Sequence, residues 1–70
     1  MSHNAVSEIR LANKIAVHFG YLPTDQAAAA VADHIRRFWD PRMKRRLFEL
    51  VAAHDGGLDP VAVAAAALLR

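Results

Sequence analysis

Thr24-Asp25-Gln26-Ala27-Ala28-Ala29-Ala30-Val31-Ala32-Asp33-His34-Ile35-Arg36-Arg37-Phe38-Trp39-Asp40-Pro41-Arg42-Met43 is the stretch on which the fold turns. Alanine is the strongest helix former, and its run leads into Val31, Ile35, Phe38 and Trp39 at helical spacing. Thr24 or Asp25, just after Pro23, is the expected N-cap. Small early residues let another helix approach closely, and the large later ones fill volume. Asp33 can pair with Arg36 and Arg37 at i+3 and i+4. Asp40-Pro41 then stops one helix and restarts another, because proline disfavours α geometry at the residue before it yet is comfortable as the first helical residue. Asp40 is thus the expected N-cap of the next helix.

Downstream, Met43, Leu47, Leu50, Val51 and His54 recur at i, i+4, i+7, i+8 and i+11 and form an inner stripe. Arg42, Arg45, Arg46 and Glu49 share the outer face. Phe48 points away from the stripe beside Lys44 and Ala52, where a lone globule would prefer a polar residue. Asp55-Gly56-Gly57 ends this helix, and Leu58 is placed to pack back over its end. Asp59-Pro60 repeats the cap-and-proline start, opening a helix from Pro60 to about Leu69 that is apolar all round, a pattern normally covered by a neighbour.

Upstream, a helix is expected from about Ser7 to Phe19, with Ser7 or Asn4 as cap and Gly20 in the left-handed position after its end. Ile9, Leu11, Ala12, Ile15, Ala16 and Phe19 fall in one arc of about 160° at 100° per residue. Arg10, Asn13 and Lys14 lie opposite, and Val17 sits on that polar side. With no hairpin signal anywhere, the expected fold is all-α: one domain over residues 1–70, a small bundle of three to four short helices.

The 70 residues include 38 apolar ones, but 15 of these are alanine, so 23 larger side chains must fill the core. A chain this short gains about 3–5 kcal/mol net from one core and often leans on a staple or a partner. With no cysteine, neither disulfides nor thiolate metal sites can be that staple. Another polypeptide is the expected support. Met1 to Glu8 carry no basic segment followed by an apolar run, and the longest apolar stretch, residues 61–69, is about half a bilayer span. The expectation is a cytoplasmic protein with no membrane partner.

Catalytic signals are weak. His3, His18, His34 and His54 share no i, i+3 or i+4 spacing, so each reads as a structural or surface histidine, and no metal site is expected. Ser2, Ser7 and Thr24 fit terminal or capping roles, and adjacent Asp33 and His34 point about 100° apart on a helix. No catalytic residue is assigned.

Charge is concentrated instead. Arg36, Arg37, Arg42, Lys44, Arg45 and Arg46 are six of the nine basic residues, opposed within 36–46 only by Asp40, while the whole chain carries a net +2. Clustered guanidinium groups suit nucleic-acid phosphates, an acidic protein surface or a phosphate-bearing cofactor, and equally a solvated helix face. No helix-turn-helix, zinc-finger or RNA-binding signature favours nucleic acid. Trp39 reads either as the core's largest filler or as an interface anchor, since Trp and Arg are enriched at binding hot spots.

Val31-Ala32-Asp33-His34-Ile35-Arg36-Arg37-Phe38-Trp39-Asp40-Pro41-Arg42-Met43 resembles the signature of the delta subunit of bacterial NAD-dependent, molybdenum-containing formate dehydrogenase. Arg10-Leu11-Ala12-Asn13-Lys14-Ile15-Ala16 with Phe19 is similar to that family's first helix. Gly57-Leu58-Asp59-Pro60 before an apolar tail is similar to its C-terminal segment. The similarity spans about Ile9 to Leu69. It implies a non-catalytic accessory subunit that stabilises the alpha subunit or helps it mature, through molybdenum cofactor insertion or retention, in a complex with beta and gamma subunits. The resemblance puts molybdenum bis-pterin guanine dinucleotide, iron–sulfur clusters and FMN in those partners and no cofactor in this chain. Taken with the charge pattern, it makes Asp33 to Met43 the expected docking segment. The partner-binding residues expected are Asp33, Arg36, Arg37, Trp39, Arg42, Met43, Arg45 and Phe48. Phe38 is expected to hold the two middle helices together. A small basic nucleic-acid-binding module is the alternative.

Overall fold

The computed structural model describes residues 4–53 and 56–70, with side chains from Glu8 onward. It contains four helices: α1 (Asn4–His18), α2 (Thr24–Phe38), α3 (Pro41–Ala52) and α4 (Pro60–Leu69), with no strand among the described residues. The fold is an all-α bundle of four short helices. His3, His54 and Asp55, to which the sequence assigns a terminus, a stripe position and a helix stop, lie outside the described residues.

Both aspartate–proline pairs act as the sequence predicts. Asp40 is the N-cap of α3, its Oδ1 accepting from the Met43 N–H at 2.8 Å, with Pro41 opening the helix. Asp59 caps α4 in the same way, accepting from the Val61 N–H at 2.8 Å. The other helix starts differ. Position Pro23, not Thr24 or Asp25, is the cap of α2, and it supplies no side-chain bond. Proline holds φ at −55° while ψ of 151° turns the chain into the helix, so helical geometry begins one residue earlier than expected. α1 begins at Asn4, which places Ser7 inside the helix rather than at its cap. Gly20 does not take a left-handed φ; its constraint is a close approach, since a Cβ there would lie 3.1 Å from the Val17 carbonyl oxygen.

The helices pack through small residues. α4 lies chiefly along α2, α1 touches the other three, and α2 and α3 scarcely meet. Ala27, Ala28, Val31, Ala32 and Ile35 are buried on α2, and Ala62, Ala65 and Ala66 on α4. Side chains this short bring helix axes toward the lower end of the 8–10 Å packing range. The apolar C-terminal helix is therefore covered from within, by α2, along one face. Val63 and Leu68 remain exposed on the other. Ile35, Leu47 and Val31 are the largest fully buried side chains, and Leu58 is buried in the same cluster.

Two polar bonds fix the last loop. Asn13, read from its helical position as a surface residue, donates from Nδ2 to the Gly57 carbonyl at 2.7 Å. Its Oδ1 accepts from the Asp59 N–H at 2.8 Å. One amide side chain thus clamps the α3–α4 connection to α1, satisfying two backbone groups that no helix can serve.

Candidate docking surface

The basic cluster is distributed around the corner at which α2 ends and α3 begins. Trp39 leaves α2 in extended geometry, with φ of −91° and ψ of 139°, and its N–H still bonds the Ile35 carbonyl at 2.9 Å. That swing turns the indole into the core, where it is 7% exposed, and leaves Phe38 outside at 70%. Phe38 accordingly does not join the middle helices. It packs against the His34 ring, centroids 4.8 Å apart. Lys44 crosses the corner instead, its Nζ donating to the Arg36 carbonyl at 3.2 Å. A cation on the last carbonyls of a helix is favoured by the dipole as well as by the bond.

The predicted docking residues fall into two groups. On α2, Asp33 is exposed and shared by Arg37 at 3.3 Å and Arg36 at 3.9 Å. On α3, Arg42 and Arg45 are exposed with no ion-pair partner among the described residues, whereas Arg46 is held by Glu49 at 3.1 Å. Arg42, Met43, Arg45 and Arg46 line an open groove of about 400 Å³ together with Glu8 of α1, Asp40 and Glu49. Oε1 of Glu8 is shut off from solvent there and has no hydrogen-bond partner among the described residues. Met43 is half-buried against the core.

Phe48 differs from its predicted setting. It is half-buried against the core rather than directed fully outward, and the Arg70 guanidinium stands 5.7 Å from its ring centroid. Surface arginine–aromatic contacts of this kind contribute about 0.5–1 kcal/mol.

A second groove, of about 350 Å³, is lined by α1, α2 and Trp39 and shares no lining residue with the first. No residue of its α1 wall was singled out for binding from the sequence. Lys14, His18 and His34 are scattered in the chain, and only the packing of α1 on α2 brings them together. Among the described residues, no group of three or more His, Cys, Asp or Glu side chains is placed to hold a metal ion. No helix is long and apolar enough to cross a membrane.

Fold and surface together define a small four-helix α protein with a basic corner. Residues 9–66 match the family described as NADH-dependant formate dehydrogenase delta subunit FdsD. The chain belongs to that family. No curated protein and no solved structure gives a match.

Proposed function

We propose that this chain is the non-catalytic delta subunit of a cytoplasmic, NAD-dependent, molybdenum-containing formate dehydrogenase. It docks on the alpha subunit and stabilises it or assists insertion and retention of its molybdenum cofactor, within a complex that includes beta and gamma subunits. The family match over residues 9–66 carries this reading. The corner formed by Asp33 to Met43 supplies its chemistry.

Arg42 and Arg45 are the principal contacts, since neither is neutralised by a described neighbour. Their forked guanidinium groups suit bidentate pairing with carboxylates or phosphates. Arg36 and Arg37 join them from α2, oriented by Asp33. Met43 and Phe48 border this face with their exposed edges, and Trp39 supports it from beneath. The nucleic-acid alternative is favoured by no binding motif in the sequence.

Co-expression of the tagged chain with the alpha, beta and gamma subunits tests the reading. Alpha co-purifies and carries molybdenum. The double variant Arg42→Glu/Arg45→Glu, whose sites are exposed, keeps its helical circular dichroism but recovers about tenfold less alpha, the order expected from reversing interfacial charges. Alpha that reaches full molybdenum content without the chain, and is never retained by it, contradicts the proposal. Trp39→Ala is unsuited to this test, because emptying a core site of that size costs about 3–5 kcal/mol and attacks the fold itself.

A further inference from the structure

The groove beside Trp39 is lined by neither Arg42 nor Arg45 and has its own chemistry. Its floor is apolar, made by Ile15, Phe19 and the exposed edge of Trp39, and Leu11, 42% exposed, stands at its margin. Lys14, His18 and His34 supply the polar groups of its wall, and among the described residues no carboxylate lines it. Phe38, in tilted ring contact with His34, extends the apolar surface beyond the groove. Asp33, adjacent to His34 in the chain, is turned to Arg36 and Arg37.

An apolar slot rimmed by a lysine and two imidazoles favours an occupant that is apolar at its centre and acidic at its edges. Lys14 attracts carboxylates, and imidazole N–H groups donate to them. A basic segment would meet Lys14 and gain no counter-charge. We infer that this groove receives an apolar side chain of the partner polypeptide, presented by a segment with Asp or Glu on either side. The identity of the partner rests on the accessory-subunit reading; the chemistry of the groove does not.

The test uses the full chain carrying 5-fluorotryptophan, so that Trp39, the single tryptophan, gives one fluorine resonance at the groove. It is titrated with acetyl-Asp-Glu-Leu-Phe-Glu-Asp-amide and with the peptide in which every acidic residue is lysine. The acidic peptide moves the resonance saturably and binds about tenfold more tightly than the basic one. Lys14→Glu and Phe38→Ala, both at exposed positions, weaken that response at least severalfold while the helical spectrum is unchanged. No response, or an equal response to both peptides, overturns the assignment. Co-purification separates the two readings. If Lys14→Glu and Phe38→Ala chains recover alpha as well as the parent, the groove assignment falls and the accessory role stands. If the parent fails to recover alpha while the peptide response holds, the accessory role falls and the groove stands.

Discussion

Asn13 shows how much one side chain can decide. Helical spacing puts it with Arg10 and Lys14 on the polar side of α1, yet it binds Gly57 and Asp59 across more than forty residues of chain. Sequence periodicity reports the face a residue occupies, not the loop that returns to it, so this role was not legible before the fold was known. Asn13→Ala leaves the partly buried Asp59 N–H without its acceptor. It should destabilise the protein by about 1–3 kcal/mol, read as a fall in urea midpoint at unchanged slope. Asp40 is the opposite case: its capping bond was legible from the Asp-Pro pair alone. Asp40→Ala should cost about 1 kcal/mol in the same measurement. Trp39 and Phe38 lie between these cases. Helical spacing extends the buried stripe to both, but α2 ends at Phe38, and the extended geometry at position 39 sends only the indole inward.

At the scale of elements, the aspartate–proline starts and the α3 stripe of Met43, Leu47, Leu50 and Val51 follow from local rules that need no partner. What α4 packs against does not, because its sequence has no polar face to orient it. The structure resolves this through size: α4 turns Ala62, Ala65 and Ala66 inward, side chains small enough to lie close to the alanines of α2. Ala65→Leu should therefore cost about 1–3 kcal/mol by forcing the two helices apart. Leu68→Gln, on the 53% exposed outer face, should change stability by no more than about 0.5 kcal/mol. Paired thermal unfolding of the two variants checks both. A large loss for Leu68→Gln would mean that the outer face of α4 is covered in the protein alone.

For the whole molecule, the radius of gyration of 10.9 Å is close to the roughly 11 Å expected of a folded chain of this length. Accessible surface is 4684 Å², slightly above the roughly 4,300 Å² expected for its mass. Poor compaction thus gives no reason to invoke a partner. The reasons are what lies outside: Arg42 and Arg45, unpaired among the described residues, an exposed Phe38 and the open grooves. The charge cluster and the pairing of Asp33 with Arg36 and Arg37 are legible in the sequence, whereas the choice of Arg46 by Glu49, which shares its face with Arg42 and Arg45 as well, is not. The groove beside Trp39 depended on how α1 rests on α2, which no local pattern specifies.

The most direct measurement is amide hydrogen exchange on the chain, free and bound to a purified formate dehydrogenase complex assembled without it. Added protection is expected to centre on residues 33–46 and spread along the second half of α1, with α4 unchanged. Protection confined to the outer face of α4, or none at all with a stoichiometric excess of the complex, would contradict it.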